Sequence, residues 1–165
     1  MSLREILLWP DPRLSRVCAP ADADDPALPA LIDDLFETMY AAKGRGLAAP
    51  QIGVMQRVFV VDVAWKEGTP APMAFVNPHL SFHDEVAHAE MEEQCLSIPD
   101  LPMPVTRPSS VQIAFIDRLG MSQDEMFEGP AARCIQHEFD HLNGRVIFDH
   151  QAPKARTEFE ARYGG

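Results

Sequence analysis

The apolar positions of the chain change their spacing twice along the sequence. In residues 26–43 they recur at intervals of three and four, which predicts one amphipathic helix ended by Gly44. After Gly53 the apolar residues are β-branched and clustered or alternating, as in strands. The predicted strands are 57–63, 74–82, 86–95, 111–117 and 123–128. The middle of the chain is therefore expected to be mostly antiparallel sheet.

A second long helix is predicted over residues 129–143. Pro130 suits a first helical turn, and Gly144 suits the position just after a helix end. A shorter helix is expected at 11–17, and the tail 153–165 has helical spacing but is short and polar, so loose order is expected there. Together these elements predict an α+β fold with antiparallel sheets packed around the second helix, in one domain spanning 1–165.

Composition and charge narrow the possible functions. Hydrophobic residues make up 46% and charged residues 24%, as in ordinary globular proteins. With 25 acidic and 14 basic residues the net charge is -11, so DNA or RNA binding is not expected. The apolar run at 6–9 is too short for a signal peptide or membrane span. We therefore expect a cytoplasmic protein, and its three widely spaced cysteines do not indicate a disulfide framework.

The strongest local motif is an H-E-x-x-H sequence at 137–141 in the second helix. The i, i+4 spacing projects His137 and His141 from one helix face, where both imidazoles can bind one metal ion. Glu138 lies on the edge of that face and can act as a general base towards metal-activated water. The alternative is two histidines and a glutamate that are satisfied in a core or at the surface.

The third ligand separates the classes of metallohydrolase. A metzincin needs histidine at the position of Ile147, so that class is excluded. A gluzincin-like protease would use Glu158 or Glu160, but both lie close to the end of a weakly anchored tail. Cys95, at the end of a predicted strand, is a natural third ligand and would leave a fourth position open for catalysis. The alternative for Cys95 is a small buried hydrophobic residue.

Three ordered segments resemble the motifs of the peptide deformylase family. They are Gly-Arg-Gly-Leu-Ala-Ala-Pro-Gln at 44–51, Glu-Gln-Cys-Leu-Ser at 93–97 and Gln-His-Glu-Phe-Asp-His-Leu at 136–142. The similarity extends over nearly the whole chain, from the Trp-Pro-Asp-Pro-Arg-Leu sequence at 9–14 to Gly144. The resemblance implies a deformylase-like fold and removal of the N-formyl group from formylmethionyl peptides.

The resemblance also implies roles for individual residues. Cys95, His137 and His141 would bind the metal, and Glu138 would handle the proton. Gln51 and the backbone N–H of Leu96 would stabilise the oxyanion. Asp140 would orient a ligand histidine, with a solvated position on the helix as the alternative. Substrate-binding positions would be Gly44, Arg45, Gly46, Glu93, Gln94, Arg133 and Cys134.

Three of these positions depart from the family pattern. Gln94 replaces a usual glycine, and Arg45 and Arg133 replace usual aliphatic residues. We expect Arg133 to pair with a carboxylate such as Glu93, the alternative being selection of a polar substrate group. The departures leave open a deformylase-like paralogue that acts on another N-acyl or N-formyl amide. A catalytically silent peptide-binding module is the third hypothesis.

The resemblance further implies a cofactor and partners. One divalent metal ion is expected, Fe²⁺ in the cell, with Zn²⁺, Ni²⁺ or Co²⁺ in purified protein, because these ions accept mixed thiolate and imidazole ligands. The expected substrates are N-formylated nascent chains. The expected protein is a monomer that does not bind DNA or membranes and that associates with the ribosome only transiently.

Overall fold

The computed structural model describes residues 2–164 as an α+β fold. Its helices are α1 (Leu28–Ala41), α2 (Gly129–Leu142) and α3 (Pro153–Gly164). Its strands are β1 (Gly46–Ala48), β2 (Val58–Val61), β3 (Met73–Ser81), β4 (His88–Cys95), β5 (Ile98–Pro108), β6 (Ser110–Ile116) and β7 (Ser122–Glu128). The predicted fold class is confirmed, whereas the division of the chain into one domain stays a prediction.

The larger sheet has five strands in the order β1-β2-β3-β6-β7, and all its neighbours are antiparallel. Every residue of β2 is buried, because the sheet is covered on both faces. Val58 and Val60 pack in the cluster that contains α1, and Phe59 and Val61 pack in the cluster that contains α2. The alternation of side chains along β2 therefore fixes the two helices on opposite faces.

A separate two-stranded ribbon is formed by β4 and β5. Strand β5 was not predicted from the sequence, because prolines at 99, 102, 104 and 108 argue against a strand. Proline lacks an N–H group, which disrupts a central strand but is tolerated where one edge of the strand is unpaired. In this ribbon β5 pairs with β4 alone, so its other edge accommodates the prolines. The short strand β1 was also missed.

The first long helix ends slightly differently from the prediction. Helix α1 stops at Ala41, and Lys43 rather than Gly44 adopts a left-handed backbone, with φ of +58°. The N–H of Gly44 then donates to the carbonyl of Met39, 2.9 Å away, which satisfies an acceptor at the helix end. The predicted helix at 11–17 is a short 3-10 turn at Pro12–Ser15. The second helix agrees with its prediction.

The C-terminal segment is a packed helix and not a loosely ordered tail. Phe159 and Tyr163 of α3 pack against the cluster that contains Phe148 and residues of the ribbon. The ring of Tyr163 also lies edge-on to Trp9, with centroids 5.9 Å apart. The sequence pattern did not reveal this because the two aromatic residues are the only large apolar side chains of α3. Residues 1 and 165 lie outside the described range.

In residues 2–164, none of the helices has the length and apolar character needed to cross a membrane.

We predict that Gly144→Ala destabilises the fold more than Gly120→Ala. Both glycines have positive φ, +71° and +81°, so alanine costs roughly 1–2 kcal/mol at each position. A Cβ at Gly144 would also lie 2.7 Å from the backbone of Ser15, whereas Gly120 has open space. This clash adds about 1–3 kcal/mol. Urea unfolding measures the free energy of unfolding of both variants. Equal losses of that free energy would contradict the structure.

Candidate metal centre

Helix α2 carries both histidines of the site. His137 and His141 lie one turn apart with ring centroids separated by 5.3 Å, and both side chains are buried. The helix has proline in its first turn. Arg57 donates to the carbonyl of Leu142, 3.0 Å away, and so satisfies an acceptor at the other end. The two imidazoles are thus held on one face of a capped helix.

The end of strand β4 supplies the sulfur. Alternation along the strand buries Glu93 and Cys95 and exposes Gln94 between them. The sulfur of Cys95 lies 3.4 Å from Nε2 of His141. One ligand atom each from Cys95, His137 and His141 lies within 4.8 Å of the others. The structure brings together the three side chains that were predicted to form one metal site.

The donor set fits a divalent transition metal. One thiolate and two imidazoles are typical of three-ligand catalytic sites, where a fourth position stays open. The surroundings of Cys95 also favour its thiolate form. Burial by itself raises the pKa of the Cys95 thiol, but the charge of His141 and hydrogen bonds from both histidines bring it to about 5. Cys95 therefore presents an anionic sulfur at neutral pH, the form that binds metals.

Glu93 orients one of the two imidazoles. Nδ1 of His137 donates to Oε1 of Glu93 over 2.9 Å, which leaves Nε2 of that ring for the cluster. Arg107 makes a two-point contact with the same carboxylate, at 2.7 and 2.9 Å. Burial opposes ionisation, but the hydrogen bonds from His137 and Arg107 and the charge of Arg107 hold the pKa of Glu93 well below its usual range. The expectation that Glu93 faces substrate is replaced by a buried role behind His137.

Asp140 does not orient a ligand histidine directly. It accepts hydrogen bonds from Arg107 at 2.9 Å and from His150 at 2.7 Å. Its link to the site runs through Arg107, which binds Asp140 and Glu93 together. A supporting role for Asp140 at the metal centre stays a prediction, and it would act through Arg107 and Glu93.

Glu138 is a buried carboxyl group beside the cluster. Its Oε1 has no hydrogen-bond partner among residues 2–164. Burial raises the pKa of Glu138. A carboxyl group that is both buried and unpaired on one oxygen is suited to exchanging a proton with a bound molecule.

Gln51 approaches the site from a 3-10 turn at Ala49–Ile52. Its Oε1 accepts a hydrogen bond from the backbone N–H of Ala48 at 3.0 Å, so the amino group must point the other way. That amino group donates to Oγ of Ser97 at 3.0 Å and points at the sulfur of Cys95 at 3.8 Å. The side chain of Gln51 is therefore fixed with its donor towards the candidate metal.

The comparisons with known proteins agree on one family. The model of the family described as polypeptide deformylase matches residues 3–157. A peptide deformylase of Afipia carboxidovorans is 47% identical over 164 residues, covering 99% of this chain and 95% of the relative. This chain belongs to the polypeptide deformylase family.

Solved structures of deformylases show the same fold. A peptide deformylase from Legionella pneumophila matches with a TM-score of 0.90 and 37% identity, covering 99% of this chain and 94% of that one. The peptide deformylase of Ehrlichia chaffeensis in complex with actinonin gives a TM-score of 0.90 and 34% identity, covering 98% and 96%. The predicted family and the predicted deformylase-like fold are confirmed.

A sharp turn does not explain the two glycines of the first deformylase motif. Neither Gly44 nor Gly46 has positive φ among the described residues. A Cβ on Gly46 would lie 2.7 Å from Oε2 of Glu138, and one on Gly44 would lie 2.7 Å from the side chain of Leu96. Gly46, the first residue of β1, and Gly44, two residues before it, therefore lie close against side chains of the site, where an added Cβ would force a neighbour to move.

The remaining rim residues are spread around this centre. Arg45 is exposed and pairs with Glu67 at 2.9 Å, and Gln94 is exposed next to Cys95. Cys134 is partly buried, and its sulfur lies 3.6 Å from the carbonyl of Arg45. Arg133 pairs with Glu93 at 2.6 Å, as expected from the sequence.

The contacts of Arg107, His150 and Ser97 were not predicted from the sequence. Arg107 was missed because the proline-rich strand that carries it was not predicted, and His150 because nothing in its neighbourhood indicated a contact with Asp140. The period of two along β4 could have placed Glu93 on the face of Cys95 and so revealed its buried role. Ser97 is part of the Glu-Gln-Cys-Leu-Ser motif, but its contact with Gln51 joins segments distant in sequence.

We predict that metal-free protein forms a thiolate with a midpoint at about pH 5, because the neighbouring histidines lower the pKa of the Cys95 thiol to about 5. Below this pH the sulfur is a neutral thiol, and above it the thiolate forms and absorbs in the ultraviolet. Cys95→Ser should remove this step. Cys134→Ser should keep it, because burial and the neighbouring Glu138 raise the pKa of Cys134 well above its usual value. A midpoint at the ordinary thiol value of 9.0 would contradict the prediction.

Proposed function

We propose that this chain is a peptide deformylase that hydrolyses the N-formyl group of formylmethionyl peptides and releases formate and a free amine. The observation that carries the proposal is the convergence of Cys95, His137 and His141, with the unpaired carboxyl oxygen of Glu138 beside them. Family membership supports the same reaction.

The proposed cofactor is one divalent ion held by the sulfur of Cys95 and an imidazole nitrogen of each histidine. Such an ion would polarise the formyl carbonyl and make water nucleophilic near neutral pH. We propose Fe²⁺ in the cell and Zn²⁺, Ni²⁺ or Co²⁺ as replacements, since the mixed ligand set accepts all of them.

Glu138 is the proposed proton carrier. Its unpaired Oε1 takes the proton from the attacking water and then gives it to the nitrogen of the departing amine. The raised pKa of Glu138 helps the second transfer, because a more basic carboxylate holds its proton until the C–N bond breaks. The missing side chain of Gly46 leaves room for this carboxyl group, since a Cβ there would lie 2.7 Å from its Oε2.

Gln51 and Leu96 are proposed to stabilise the oxyanion that forms on the formyl carbon. The amino group of Gln51 is already aimed at the site, and the hydrogen bond from Ala48 holds it there. The backbone N–H of Leu96 directly follows the ligand Cys95. Donors fixed before the reaction stabilise developing charge without reorganisation.

The peptide itself is proposed to lie along the rim formed by Gly44, Arg45, Gly46, Gln94 and Cys134. Arg133 is a weaker candidate for substrate contact, since its guanidinium is engaged with Glu93 and with backbone carbonyls. The other partner expectations, transient ribosome association and a monomeric state, stay predictions, as does a cytoplasmic location.

The direct test is formate release from formyl-Met-Ala-Ser by metal-loaded protein. We expect Glu138→Gln to retain metal but to lose activity by about 10²–10⁴-fold, because the proton carrier is removed. Glu125→Gln is the matched control on an exposed strand, and it should keep full activity. Wild-type protein that holds metal and releases no formate would exclude the proposed reaction. Activity on other formyl amides alone would favour the paralogue hypothesis.

A further inference from the structure

We propose that Arg133 is a positioning residue for the metal centre, acting through Glu93 on His137. The inference rests on the proposed metal site, and it adds a residue that holds the site together without touching metal or substrate.

The guanidinium of Arg133 reaches three acceptors at once. Nη1 donates to Oε2 of Glu93 at 2.6 Å and to the carbonyl of Val105 at 2.9 Å. Nη2 donates to the carbonyl of Ala89 at 2.7 Å. Ala89 belongs to β4 and Val105 to β5, while Arg133 itself belongs to α2. One side chain therefore ties the metal-binding helix to both strands of the ribbon.

The contact with Glu93 completes the donors around that carboxylate. Oε1 accepts from His137 and Arg107, and Oε2 accepts from Arg107 and Arg133. Each oxygen thus has two donors, and the carboxylate plane is fixed. Without Arg133, Oε2 keeps a single donor, and Glu93 can tilt about its contact with Arg107. The imidazole of His137 would then lose its fixed orientation.

Arg133 also belongs to a row of contacts between α2 and the ribbon. Gln136 donates to the carbonyl of Pro108 at 2.9 Å, and Asp140 accepts from Arg107 at 2.9 Å. Residues 133, 136 and 140 follow the i, i+3, i+7 spacing of one helix face. Because Cys95 lies on the ribbon and both histidines lie on α2, this row sets the distance between the sulfur and the imidazoles. Arg133 holds the row at its N-terminal end.

The experiment measures zinc release to a chromogenic chelator from zinc-loaded protein. Arg133→Met keeps the length of the side chain but removes its donors, and we expect release to be about 10–100-fold faster. Arg133→Lys keeps the charge near Glu93 but cannot reach three acceptors, and we expect an intermediate rate. Arg156→Met is the matched control, because Arg156 lies on α3 and its ion pairs are with Asp149, in the turn before that helix, and with Glu160, and not with Glu93. It should release zinc at the wild-type rate.

Two further readouts separate positioning from other roles. If Arg133 positions His137, the visible spectrum of Co²⁺-loaded Arg133→Met changes, and kcat for formyl-Met-Ala-Ser falls more than KM rises. An unchanged release rate and spectrum with a raised KM would overturn the inference in favour of substrate contact. A lower unfolding midpoint alone would overturn it in favour of a purely structural role. If Arg133→Met does not fold, Arg133→Lys decides, and a wild-type release rate in that variant overturns the inference.

Failure of the proposed deformylase reaction can be distinguished from failure of the positioning role. Zinc release that depends on Arg133, in protein that yields no formate, would support the positioning role and exclude the deformylase reaction. Wild-type protein that binds no zinc or cobalt would overturn both.

Discussion

The rest of this site depends on the hydrogen bonds that the buried carboxylate of Glu93 accepts from helix α2. Glu93 is buried at the point where the β4–β5 ribbon meets α2, and a charge in such a place persists only when it is fully hydrogen-bonded. Two arginines and a histidine supply those hydrogen bonds. The same contacts orient the imidazole of His137 and hold α2 against the β4–β5 ribbon. The charge of Glu93 is therefore compensated by the hydrogen bonds that also fix the geometry of the ligand.

The charges around the centre also favour a cation. Cys95 is anionic at neutral pH, and Glu93 and Asp140 both have lowered pKa values, because hydrogen bonds and positive charges outweigh their burial. Arg107 and Arg133 offset two of these three negative charges. Positive charge on the imidazoles stabilises the third, the thiolate of Cys95, and a divalent ion between the sulfur and the imidazoles would do the same. The site is thus built around positive charge, consistent with the metal-dependent chemistry of the family.

Close packing gives the site its shape. The large sheet is covered on both faces, and β1 at its edge lies against Glu138 and Cys134 so closely that Gly46 has no room for a side chain. Gln51 follows directly after this strand and is oriented by the backbone of Ala48. The first motif, the ribbon and the helix come from distant parts of the sequence, yet each contributes a group that the others hold in place.

The sequence by itself determined the H-E-x-x-H helix, most of the strands and the identity of the three candidate ligands. Local periodicity and the order of the motifs can be identified from the sequence without knowing which distant residues meet. It also predicted the pairing of Arg133 with Glu93. Tertiary structure alone decided that the proline-rich segment forms β5, that Glu93 lies behind His137 rather than at the rim, and that Asp140 pairs with Arg107. These outcomes depend on which strand edges stay unpaired and which distant side chains meet in the core. The local pattern of β4 gives at most the face on which Glu93 lies, and not its partners.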